Sequence, residues 1–152
     1  MHVCGCVAVG TPLKWEGLGY HSDSCPKSLG IRLWRVIQDR DLKQFTEHLL
    51  QFDRLESCWE GGYNYGYQHI TNEESNPLFV EWVYIVDSER RMLHVLKSEM
   101  LEDEDLSQPR REPVMLPNRA VFYGNCAYKH VLAISIKLDG PEPDWAQIQK
   151  GE

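Results

Sequence analysis

Residues 3–9 place Val3, Gly5, Val7 and Val9 on one side of an extended chain and Cys4, Cys6 and Ala8 on the other. Small and β-branched residues on both sides predict a strand covered on both faces. Gly10, Thr11 and Pro12 supply turn chemistry, so residues 13–20 are expected to pair back as a hairpin. Residues 24–26 (Ser, Cys, Pro) then open a helix, because Ser caps exposed amides and Pro costs little in a first turn. Leu29, Leu33, Val36 and Ile37 share one face of it. Asp41 begins a second helix, with Gln44 completing a capping-box pattern and Leu42, Phe45 and Leu49 forming its apolar stripe.

Further on, residues 79–86 and 92–97 are crowded with aromatic and β-branched residues around a polar tip at 87–90, which predicts a second hairpin. Residues 98–113 are acidic, then Pro- and Arg-containing, and read as a mobile loop, centred on 99–112. Residues 131–138 alternate cleanly and form the last strand, followed by a flexible tail after residue 140 that Trp145 ties down. The expected architecture is a single α+β domain spanning residues 1–152, an antiparallel or mixed β-sheet with two helices packed on one face.

Composition sharpens this picture mainly by exclusion. A chain of 152 residues with 42% hydrophobic and 26% charged residues has the makeup of a globular domain able to bury one core unaided. The formal net charge of -7 disfavours nucleic-acid binding, since the richest basic runs, Arg90-Arg91 and Arg110-Arg111, are only dipeptides. Neither a signal sequence nor an apolar membrane span is evident, and five scattered cysteines suit reduced thiols, so a cytoplasmic protein is expected.

Residues 20–26 (Tyr-His-Ser-Asp-Ser-Cys-Pro) running to Leu29-Gly30, together with residues 81–87 (Glu-Trp-Val-Tyr-Ile-Val-Asp), resemble segments of small uncharacterised proteins of bacteria and their phages. In those proteins an N-terminal hairpin leads into a helix through a Tyr- and Asp-containing stretch ending in Pro-x-x-Leu-Gly. The resemblance implies a fold and a mobile-element setting, and it carries no activity that transfers residue by residue.

Three constellations offer chemistry. Cys25 at a helix start, with His21 as base and Asp23 to orient it, has the residue types of a thiol nucleophile; Cys4 followed by Gly5 resembles the opening of N-terminal-nucleophile amidotransferases, whose cysteine uses its own α-amino group as base, which here requires removal of Met1, His2 and Val3. Cys4, Cys6, His21, Cys25, Cys58 and His69 are donors zinc accepts, but no closely spaced second pair completes a standard site, so neither a metal nor a cofactor is expected. Finally, Tyr63, Tyr65, Tyr67 and His69 fall on one side of an extended strand, near Trp59 and Tyr20 and interleaved with Gly61, Gly62 and Gly66. Such a face suits a flat ligand or a protein partner. P-loop, Rossmann, nucleophile-elbow and zinc-protease motifs do not occur. The expected function is therefore a small binding or regulatory module acting on a protein partner or small ligand, of the kind a phage accessory or inhibitor protein performs. The alternative is a cysteine-dependent hydrolase or transferase.

Overall fold

A computed structural model of the chain describes residues 4–20, 23–38, 40–49, 69–73, 80–100, 114–116, 119–123 and 128–150. Its strands are β1 (Cys4–Gly10), β2 (Trp15–Tyr20), β3 (His69–Thr71), β4 (Val80–Asp87), β5 (Met92–Met100), β6 (Val114–Leu116), β7 (Arg119–Tyr123) and β8 (Tyr128–Lys137). They form one mixed sheet in the order β3-β2-β1-β4-β5-β8-β7-β6. Only the β1/β4 pair is parallel among these described neighbours, and every other pair is antiparallel.

The centre of this sheet explains the composition of its strands. Cys6, Val7 and Ala8 of β1 and every residue from Trp82 to Asp87 of β4 are buried. A strand covered on both faces needs apolar side chains at successive positions, which is why residues 82–86 (Trp-Val-Tyr-Ile-Val) show no alternation. Each aliphatic side chain fully removed from water here contributes about 1.5–3 kcal/mol.

One face, with Val7, Leu18, Trp82, Tyr84, Val86, Leu93, Val95 and Ile136, shares a core with all the described helices. A π-helical turn (Pro26–Gly30) runs into α1 (Ile31–Gln38), and α2 (Leu42–Leu49) follows. Leu29, Leu33 and Ile37 are buried as their spacing requires, as are Leu42, Phe45 and Leu49. Asp41 caps α2, its Oδ1 accepting the Gln44 N–H at 3.0 Å. The π-helical turn carries no side-chain cap: Cys25 is its N-cap residue, and Asp23 Oδ1 accepts the Cys25 N–H at 3.2 Å in the turn that precedes it. The opposite face carries a second cluster built on Cys6, Ala8, Trp15, Ile70, Val83, Ile85 and Leu96.

Three sequence expectations are corrected. The chain beyond Gly140 is not a loose tail but ends the described fold as α3 (Trp145–Lys150), whose Trp145 and Ile148 enter the helix-side core. Strand β5 continues to Met100, so the first three residues assigned to the acidic loop are paired with residues 128–130 of β8. Strands β6 and β7 fall where no element was expected. The remainder of the acidic loop, residues 101–113, lies outside the described residues. No helix among the described residues is long and apolar enough to cross a membrane.

Trp145 links α3 to α1. Its ring meets Trp34 edge-on at 6.2 Å between centroids, and its Nε1 donates to Glu142 Oε2 at 2.9 Å. Gly30 makes the approach possible, since a Cβ there would come within 2.8 Å of the indole. Replacing Trp145 with Ala should cost about 3–5 kcal/mol, measured as a fall in the urea midpoint with little change in slope.

Candidate functional site

Strands β1 and β4 both end, at Gly10 and Asp87, beside a cleft of about 610 Å³. This volume is within the range of small-ligand sites, and the carboxyl ends of parallel strands are a common place for them. The β1–β2 turn forms one rim. Gly10 adopts φ 131°, which only glycine takes readily, and Thr11 and Lys14 exchange backbone hydrogen bonds of 2.9 and 3.2 Å. The opposite rim comes from Thr46 and Glu47 of α2 and from residues 71–73. Asn72 locks that rim to β2, accepting the Trp15 N–H on its Oδ1 at 3.0 Å while its own N–H donates to the Trp15 carbonyl at 3.0 Å. Five carboxylate residues, Glu16, Glu47, Glu73, Asp87 and Glu89, line the cleft against the single Lys14.

Asp87 also belongs to a second arrangement. Its Oδ1 accepts the Arg90 N–H at 3.1 Å, and its Oδ2 accepts Arg90 Nη1 at 3.2 Å and His94 Nε2 at 3.1 Å. The other nitrogen of the ring, His94 Nδ1, lies 2.7 Å from Ser135 Oγ. Pairing of His94 with Ser135 across β5 and β8 brings these two together, and the four-residue turn after Asp87 returns β5 beside it. Asp87 and His94 are buried, and Ser135 is partly exposed. Burial pushes the Asp87 carboxyl up, but hydrogen bonds from His94 and Arg90 outweigh it and hold the group below the ordinary carboxylate value. This set escapes a reading of the sequence because its members lie on three strands. The available signal is a histidine among the apolar residues of 92–96 and a serine among those of 131–136, on paired positions.

At the thiol site the carboxylate is drawn into local hydrogen bonds. Both oxygens of Asp23 are engaged in the local turn, Oδ1 with the Cys25 N–H and Oδ2 with the Ser28 hydroxyl at 2.9 Å. The Cys25 thiol, the Cys25 N–H and the Ser28 hydroxyl hold the Asp23 carboxyl below its ordinary value, so this group shapes the turn. Cys25 itself is partly buried, its Sγ 3.6 Å from Ser28 Oγ. Behind it, the Tyr84 hydroxyl donates to the Ser24 carbonyl at 2.6 Å, and burial pushes that phenol far above its ordinary value. Cys6 is fully buried and its thiol is likewise pushed up, which makes it unreactive.

The remaining sequence candidates are only partly placed. His21, Cys58, Trp59, Tyr63, Tyr65 and Tyr67 lie outside the described residues. Cys4, Tyr20 and His69 are placed by backbone alone, in β1, β2 and the edge strand β3. Among the described residues, no group of three His, Cys, Asp or Glu side chains stands close enough to hold a metal. No protein-family model, curated protein or solved structure matches the chain.

His130 supplies a pH-dependent element of stability. It is buried with Nε2 donating to the Val80 carbonyl at 2.8 Å, and burial lowers its pKa from 6.5 to about 4. The unfolded chain therefore binds a proton that the folded chain refuses between those values. Stability from this residue is complete above 6.5 and declines as pH falls towards 4, by about 1 kcal/mol per pH unit. Urea titrations across this range should show the slope in the native protein and its loss in His130→Gln.

Proposed function

We propose that this chain is a small binding module that captures a cationic ligand, an organic amine, a guanidine or a basic peptide side chain, in the cleft at the carboxyl ends of β1 and β4. The observation that carries the reading is the lining: four exposed glutamates, Glu16, Glu47, Glu73 and Glu89, and one lysine around a concavity of small-ligand size, with Asp87 beneath them engaged by Arg90 and His94. The chain's net charge of -7 adds a long-range field of the same sign, which favours cation approach and repels phosphates. Trp15, packed in the core cluster beneath the cleft, gives that wall a rigid apolar base.

A regulatory role in a bacterial or phage setting is compatible with this reading and rests on the sequence resemblance alone. The cysteine-dependent alternative gains no support from Asp23, which is committed to its turn.

Titration calorimetry with spermidine, arginine amide and a lysine-rich peptide, with acetate and phosphate as controls, tests the proposal. Cations should bind, weakening as salt rises, and a Glu47→Gln, Glu73→Gln double variant should lose roughly three- to tenfold in affinity. If none of the cations binds or shifts Trp15 fluorescence, the module reading is wrong for this cleft.

A further inference from the structure

Ser135, His94 and Asp87 form a continuous hydrogen-bonded chain across β8, β5 and β4, with distances of 2.7 and 3.1 Å. From this geometry we infer that Ser135 is a nucleophile for carboxylic esters, with His94 as its base and Asp87 as the residue that positions the imidazole. Asp87 lines the cleft as well, but the inference rests on Ser135 and His94, which the cleft reading does not use.

The hydrogen-bond donors fix the ionised state of Asp87 and the tautomer that the neutral His94 ring takes. Asp87 receives three donors, two from Arg90 and one from His94, which is the environment of an ionised carboxylate. An ionised carboxylate only accepts, so His94 Nε2 must carry a hydrogen. A neutral ring then bears its lone pair on Nδ1, and the Ser135 hydroxyl donates to it. This is the charge arrangement of a nucleophile–base–orienter set, with the two ring nitrogens exchanged relative to the familiar serine-protease order. Proton transfer requires only that one nitrogen accept while the other is held by the anion, and both conditions are met here.

Burial separates the roles. Asp87 and His94 are 3% and 6% exposed, so their hydrogen bond competes little with water, while Ser135 retains access to solvent. The ladder also breaks next to the serine. Val95 pairs with Ile134 and Leu96 with Leu132, leaving Ala133 without a partner in the β5 register. A bulge of this kind re-aims the side chains beside it and is common near active sites.

The step balances without a further reagent. Ser135 Oγ forms a bond to the acyl carbon as its proton passes to His94 Nδ1. The ester C–O bond then breaks, and the alcohol leaves with that proton. Water hydrolyses the acyl-serine by the same route, with His94 taking and returning its proton, so ester and water give acid and alcohol.

A fluorophosphonate reports on the first half of this reaction, because Oγ bonds to phosphorus and fluoride departs with its electron pair. Peptide mapping by mass spectrometry should find one phosphonyl group per chain, on Ser135, and none in Ser135→Ala. Asp87→Asn should slow labelling by roughly 10³-fold or more while circular dichroism shows the sheet retained. Imidazole nitrogen NMR gives a readout that a purely structural network would not share with this one: His94 protonated at Nε2 and bare at Nδ1 in the native protein, with that preference lost in Asp87→Asn. Native protein that is folded yet unlabelled by saturating probe, labelled elsewhere, or protonated at His94 Nδ1 overturns the inference.

Discussion

A sheet covered on both faces leaves its central strands no water, and every polar group placed there has to find a partner within the protein. That constraint organises the described fold. Tyr84 threads its ring through the helix-side core and delivers its hydroxyl to the Ser24 carbonyl, thereby fixing the turn from which α1 departs. His130 satisfies the Val80 carbonyl where β4 begins. At the other end of β4, Asp87 accepts hydrogen bonds from Arg90 and His94, and His94 in turn is held by Ser135. An unpaired group at any of these positions would cost on the order of 1–3 kcal/mol, comparable to a sizeable fraction of a domain's net stability.

The same constraint determines how much of the molecule can be read from its residues. Residues 3–9 announce a doubly covered strand because small and β-branched side chains occupy both of its sides, and Asp41 with Gln44 marks a helix start through local hydrogen bonding. Alternation at residues 131–138 places β8, and the polar tip at 87–90 places the β4–β5 hairpin. These signals are local. The parallel β1/β4 pairing is not, since two helices and β3 intervene between its strands and no turn chemistry specifies it. Helix α3 was hidden for a different reason: six residues give too short a pattern, and only the contact of Trp145 with Trp34 and Gly30 makes it a core element. The Asp87–His94–Ser135 chain required register, because His94 and Ser135 are 41 positions apart and meet only through the β5/β8 ladder. Of the site residues suggested by composition, Asp23 bonds Cys25 and Ser28 in its own turn, and Tyr63, Tyr65 and Tyr67 fall outside the described residues.

Cleft and hydrogen-bonded chain share Asp87, and the turn that follows it is unusually well secured. Arg91 holds a left-handed φ of 54°, a conformation costing roughly 1–2 kcal/mol for a residue with a side chain. Its guanidinium grips Asp139 through Nε at 3.1 Å and Nη2 at 3.0 Å, and its carbonyl receives the Leu138 N–H at 2.9 Å. These bonds join the hairpin tip to the end of β8, so Asp87, His94 and Ser135 are fixed from both sides of the turn. The exposed ion pair contributes little energy in water, and its role is geometric.

The placement of α3 has a consequence for the order of events during biosynthesis. Trp145 and Ile148 complete a core whose other contributors begin at Val7, so strands made early wait for a helix made after every other described element. Until residues 145–150 clear the ribosomal tunnel, the groove between α1 and the π-helical turn exposes apolar surface that Trp145 later fills. A nascent chain therefore cannot close its helix-side core before α3 emerges, and that core is the part most in need of chaperone cover in the interval.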